Sequence, residues 1–163
     1  MQQPIVISGA GILGCYISCA LSLQGIDSIV LEKKDDEVED SVRTITLNPF
    51  SKNLLDKIGI ENDYSMINKM EVKDFDGTGK IVFKSSEIGM DHLAYVSDFA
   101  TLLMAVRKKA SEKILYKEEI IDIDNKGDLN EVTLSSGKVI KTNLIISSDG
   151  KNSKLANKIP KSD

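Results

Sequence analysis

The stretch PIVISGAGILGCYISCALSLQGIDSIVLE, residues 4–32, constrains the fold more than any other part of the chain. Its β-branched run from Ile5 to Ser8 has the length and composition of a buried strand. Gly9, Gly11 and Gly14 follow in the spacing G-x-G-x-x-G. The apolar pattern then turns helical from Ile12 to about Gln24, and Gly25 is placed to end that helix. A second strand, Ser28 to Leu31, delivers an acid, Glu32. Strand, glycine turn, helix, strand and acid make a βαβ unit in which every part suits a bound dinucleotide. Gly9 permits the tight turn, Gly11 lets the backbone approach a pyrophosphate, and Gly14 lets the helix pack closely. The unpaired N–H groups at the helix start would meet the phosphates. A carboxylate at Glu32 can accept hydrogen bonds from ribose hydroxyls and repels a 2′-phosphate, which favours FAD or NAD over NADP. Lys33 and Lys34 beside it weaken that preference.

The chain carries no charge from Met1 to Ile26, which invites a transmembrane or signal-peptide reading. No Lys or Arg precedes Lys33, however, and the three glycines break the run into two periodicities, so a βαβ unit fits better. A length of 163 residues suits one domain with its own core. With 41% hydrophobic and 28% charged residues, the chain lies among ordinary globular proteins. Its net charge of -4 argues against nucleic acid as the main partner. The nearest basic cluster, Arg107, Lys108 and Lys109, closes a predicted helix, where cations complement the helix dipole. His92 is the single histidine, which excludes a multi-histidine metal site and leaves no recognisable triad; no metal is expected. Cys15 and Cys19, on consecutive turns of one predicted helix, read as packing residues.

After the charged EKKDDEVEDS, read as a solvated loop, Ser51 to Ile58 form a helix with Leu54, Leu55 and Ile58 on one face. MEVKDF and KIVFKS, separated by DGTG, read as a hairpin within an insertion at about residues 70–97. Ser97 is placed to cap a helix running to about Ser111, with Phe99, Leu102, Leu103 and Val106 as its apolar stripe. EEIIDID, EVTL and KVIKT make a β-meander, and Leu144 to Ser147 form a return strand that stops in the turn Asp149-Gly150. The expected class is a mixed α/β domain, not a repeated βαβ array.

These pieces, in this order, resemble the flavin-dependent aromatic hydroxylases, the family of para-hydroxybenzoate hydroxylase and the ubiquinone-biosynthesis hydroxylases. The resemblance covers the whole chain but about half of such an enzyme. It implies a single Rossmann-like FAD-binding domain over residues 1–163, cut short before the family's later motifs, with strands at about 70–97 belonging to a substrate-binding layer. By that resemblance Gly9, Gly11, Gly14 and Glu32 hold the ADP part of FAD. The run RTITLNPFSKNLLDKIG is similar to the family's flavin-side segment, which gives that contact to Arg43. SSDGKNS is similar to a second fingerprint, D-G-x-x-S, close to FAD and implicated in use of the nicotinamide cofactor; it matches through Asp149, Gly150 and Ser153. Val96 and Ala156 stand where the family commonly has polar residues.

The implied reaction takes electrons from NADH or NADPH to FAD, lets the reduced flavin react with O₂, and transfers one oxygen to a small aromatic substrate such as a quinone-precursor phenol. The cofactor carries that chemistry, and no side chain is singled out as an acid or base. The resemblance also implies a cytoplasmic place, peripheral to the inner membrane or within a multiprotein complex. Prenyl reductases and halogenases share this front half. From a different class, a nucleotide-binding module without catalysis remains a second reading.

Overall fold

A computed structural model describes residues 3–38, 42–150, 153 and 155. In chain order the elements are β1 (Ile5–Ser8), α1 (Ile12–Leu23), β2 (Ser28–Glu32), β3 (Thr44–Leu47), α2 (Pro49–Lys57), β4 (Ser65–Ile67), β5 (Lys69–Lys73), β6 (Lys80–Lys84), β7 (Ala94–Asp98), α3 (Phe99–Lys109), β8 (Ile114–Tyr116), β9 (Ile120–Asn125), β10 (Asn130–Leu134), β11 (Val139–Thr142) and β12 (Ile145–Ser147). The chain divides into two units, Met1–Glu39 with Leu103–Asp163, and Asp40–Leu102.

The first unit is built on a parallel sheet of order β12-β1-β2-β8. Its register sets Val6 beside Ile29 and Ile145, and Leu31 beside Leu115, so these apolar side chains share one face. Val132, Leu134 and Ile140 of the antiparallel meander β11-β10-β9 join Val6 and Leu31 in one buried cluster. Ile7 and Val30 stand one residue out of phase and point to the opposite face. Helix α1 packs on β1 and β2; its Ser18 hydroxyl meets that of Ser28 at 2.9 Å, which satisfies two buried polar groups at once. At the helix end the Ile26 amide returns to the Leu21 carbonyl at 3.0 Å around Gly25, whose φ is 71°. The uncharged start of the chain is thus divided among a strand, a turn and a helix. No helix among the described residues is long and apolar enough to cross a membrane.

The second unit holds an antiparallel sheet of order β3-β7-β4, the hairpin β5-β6, and α2. The hairpin expected from MEVKDF and KIVFKS forms, with Met70 opposite Phe83 and Val72 opposite Ile81. Two helix starts differ from the sequence expectation. Helix α2 begins at Pro49, not Ser51: Asn48 accepts the Ser51 amide at 2.7 Å, and proline costs nothing in the first turn, where its missing N–H would have no partner. Ser97 does not cap α3. It is the fourth residue of β7, buried, with its hydroxyl accepting from Asn62 at 2.7 Å, while Asp98 takes the Thr101 amide at 2.7 Å. Strands β3, β4 and β8, of three or four residues each, are additions to the strands expected from the sequence.

Candidate functional site

The sheet places the two glycine-bearing turns side by side. Because β12 pairs in parallel with β1, Ser8 lies opposite Ser147, and both strands end at the same edge. The Ser148 amide then donates to the Ser8 carbonyl at 2.8 Å, and the Ser148 hydroxyl spans the Ser8 and Gly9 carbonyls at 2.8 and 3.0 Å. A cavity of about 290 Å³ opens there, lined by Gly9, Gly11, Glu32 and Lys33 from the front of the chain and by Ser148, Asp149 and Gly150 from the back. Clefts at the carboxyl ends of parallel strands, where strand order jumps, are the usual ligand positions in open α/β sheets.

The three glycines have different reasons to be glycine. Gly9 has φ of 100°, and a Cβ there would fall 2.8 Å from the Ser148 carbonyl oxygen and 2.9 Å from the Asp149 Cα. At Gly14 a Cβ would meet the Gly9 carbonyl oxygen at 2.0 Å, so α1 could not close on the turn. A Cβ on Gly11 would meet nothing within 4 Å; this residue faces the open cleft. Helix α1 starts there with neither a side-chain cap nor an acid in its first turn. Its leading amides keep their partial positive charge for something else, and a pyrophosphate fits that description. The volume lies at the small end of ligand clefts, roughly 300–1,000 Å³, and suits the ADP part of a dinucleotide.

Glu32 reaches the turn from the end of β2. One carboxylate oxygen, Oε2, accepts the Ala10 amide at 3.0 Å, and the other, Oε1, accepts the Lys34 amide at 3.1 Å. Each oxygen has two acceptor sites, so a backbone bond to each still leaves capacity for a ribose hydroxyl. Across the cleft, Lys117 adopts a left-handed φ of 60°, uncommon for a residue with a Cβ. The reversal brings the Lys117 amide to the Lys34 carbonyl and the Glu118 amide to the Glu32 carbonyl, both at 3.0 Å. Glu118 and Glu119 thereby join the lining. In the sequence they mark only the start of the strand EEIIDID.

The Asp149 carboxylate accepts the Ser147 hydroxyl at 2.6 Å, and Ser147 also meets the Ser153 hydroxyl at 3.0 Å. The Ser153 amide donates to the Gly150 carbonyl at 3.0 Å, and Gly150 takes a φ of 78°. Ser147, Asp149, Gly150 and Ser153 are therefore tied together by short bonds, with Asp149 beside Gly9. Ala156 lies outside the described residues.

Arg43 belongs to the second unit, where it is exposed; its guanidinium carbon stands 4.2 Å from the centroid of the Phe99 ring, and its carbonyl accepts the Phe99 amide at 2.9 Å. Val96 pairs with Thr46 and Ser65 within β7. His92 bonds Asn68 at 2.6 Å and packs edge-on to Tyr95. Cys15 and Cys19 are both buried on α1, and burial pushes the Cys15 thiol up to about 12, as suits a packing residue.

Arg107, Lys108 and Lys109 do stand in the last turn of α3, as the helix-dipole reading expects, but Arg107 has a further role. Its side chain turns inward to Ala10 and Glu32, with 11% of it exposed, whereas Lys108 and Lys109 remain at the surface. The available signal was its place one turn beyond Leu103, at the margin of the apolar stripe of α3.

A family model described as an FAD binding domain matches residues 2–162. The ubiquinone biosynthesis monooxygenase COQ6, mitochondrial, of Danio rerio is 27% identical, with 91% of this chain and 36% of that protein covered. The 3-demethoxyubiquinol 3-hydroxylase of Escherichia coli is 26% identical, with 94% and 43% covered. Among solved structures, p-nitrophenol 4-monooxygenase from Pseudomonas putida superposes with a TM-score of 0.78 at 17% identity, over 96% of this chain and 43% of that one. At that identity the likeness speaks for the fold. The chain spans less than half the length of these relatives.

Proposed function

The chain belongs to the FAD binding domain family, and from that membership we propose that it is the FAD-binding part of a flavin-dependent monooxygenase that hydroxylates an aromatic ring with NADH or NADPH and O₂. One observation carries the reading: the G-x-G-x-x-G turn, Glu32 and the Asp149-Gly150 turn, which lie far apart in sequence, line a single cleft. The names of the relatives in ubiquinone biosynthesis favour a quinone-precursor phenol as the substrate class.

In this reading the α1 amides and the open side of Gly11 take the pyrophosphate, and Glu32 accepts from the adenosine ribose. Gly9 and Gly14 hold the turn against Asp149 and α1, so that no side chain intrudes on the phosphates. Asp149 and Gly150 bound the cleft on its other side, with the Asp149 carboxylate held by the Ser147 hydroxyl and the preceding Ser148 tied to the Ser8 and Gly9 carbonyls. Arg43 is assigned the flavin-side contact. When bound, FAD supplies the electron transfer and oxygen activation; the chain supplies affinity, orientation and shelter from water.

Titration of the purified chain with FAD, followed by flavin fluorescence, tests the assignment. Saturable binding is expected, weakened about 10- to 100-fold in Glu32→Ala, as suits loss of a charge-assisted hydrogen bond of ~1.5–3 kcal/mol. Calorimetric binding of NAD without any binding of FAD would overturn it. In the protein that carries this domain, isotopically labelled O₂ should leave its label in the aromatic product, whereas product formation without O₂ would favour a reductase.

A further inference from the structure

Ala10 sits between Gly9 and Gly11, and both of its backbone polar groups are held by side chains from elsewhere. Its amide donates to Glu32 Oε2 at 3.0 Å, and its carbonyl accepts Arg107 Nε at 2.9 Å. The circuit closes because Arg107 Nη2 lies 3.5 Å from the same Oε2. The Arg107 guanidinium carbon also stands 5.7 Å from the centroid of the Tyr116 ring. The arrangement is nearly dry, with 11% of the Arg107 side chain and 12% of the Glu32 side chain exposed.

Stability alone gives a poor account of this arginine. Nη1 is buried with no hydrogen-bond partner among the described residues, an omission that ordinarily destabilises a fold. A buried ion pair seldom outperforms apolar packing of the same volume. What the guanidinium does uniquely is fix geometry, since its planar fork meets a carbonyl and a carboxylate together, which a lysine ammonium cannot copy.

We propose that Arg107 is a positioning residue of the dinucleotide site, locking the Ala10 peptide of the glycine turn and saturating Glu32 Oε2 so that Oε1 is left to accept a ribose hydroxyl. The proposal rests on the FAD reading above for its ligand, but not for its geometry. Arg107 raises FAD affinity without touching FAD. Its influence passes through Glu32 and Ala10.

The test compares Arg107→Met and Arg107→Lys in two backgrounds, the natural Glu32 and Glu32→Gln, using the full chain. FAD affinity is read by fluorescence titration, and exchange of the Ala10 and Lys34 amides is read by NMR without ligand. With Glu32 present, Arg107→Met should weaken FAD about tenfold or more, and the loss should be at least about threefold smaller in the Glu32→Gln background, where the partner charge is gone but the Ala10 carbonyl remains. Ala10 exchange should accelerate at least about tenfold while the amides of β1 and β12 keep their protection. Should Arg107→Met fail to fold, Arg107→Lys carries the test, with the same direction and a smaller effect. Equal affinity losses in both backgrounds, or unchanged Ala10 exchange, would overturn the proposal. Absence of FAD binding by the natural sequence would overturn the function proposed above, and the Ala10 exchange measured without ligand would still decide the positioning.

Discussion

A methyl group means different things at Gly11 and Gly14, although both belong to one motif. At Gly14 it would lie 2.0 Å from the Gly9 carbonyl oxygen, so backbone must move. Gly14→Ala should cost about 3 kcal/mol or more in urea unfolding, the upper range for overpacking. At Gly11 the added carbon would meet no protein atom within 4 Å, and the backbone there, φ -74°, is open to any residue. Gly11→Ala should change stability by less than about 0.5 kcal/mol, yet weaken FAD binding, because the new methyl stands where the pyrophosphate should approach. Thermal melts and FAD titrations on the same samples separate the two effects. Cys15 gives a third expectation at this scale. With its thiol buried and pushed up to about 12, it should resist alkylation at mildly alkaline pH until the protein is unfolded.

Helix α3 shows how an element's start decides a pH dependence. Asp98, the last residue of β7, accepts the Thr101 amide, and that bond, followed by others at the same helix start, lowers its carboxyl below the ordinary 3.8. A depressed folded value means the folded state favours the ionised form, so the stabilisation is fully present above the unfolded value and fades as pH falls through the folded one. Asp98→Ala should therefore be less stable than the natural sequence at neutral pH. The difference between their urea midpoints should narrow as the pH is taken below 3.8. Asn48 plays the corresponding part at α2, where Asn48→Ala should cost about 1 kcal/mol with no such pH dependence.

At the scale of the whole molecule, the hairpin β5-β6 stands out by its sidedness. Met70, Val72, Ile81 and Phe83 share one face and are all exposed, whereas Glu71 on the other face pairs with Lys69, Lys73 and Lys80. A hydrophobic dye should bind this chain and brighten, and Phe83→Lys should reduce the signal without changing the circular dichroism. Alternation along the two strands made the hairpin readable, just as β-branching and the glycine spacing made the βαβ unit readable. Those signals are local: strand period, turn conformation and the charge of Glu32 are properties of a few neighbouring residues. They suffice to show that a turn follows β1, that it has the glycines to admit a phosphate, and that an acid follows β2. They carry no trace of Ser148 sealing Gly9 from 139 residues away, of Arg107 turning inward to Ala10 across 97 residues and to Glu32 across 75, or of Glu118 entering the cleft. Only the tertiary structure decided these contacts: the Ser148 contact needs β12 paired beside β1, the entry of Glu118 needs the left-handed turn at Lys117, and the Arg107 contacts need the end of α3 beside the glycine turn; strand order, helix placement and a left-handed residue are long-range or single-residue properties that leave no periodic mark in the chain.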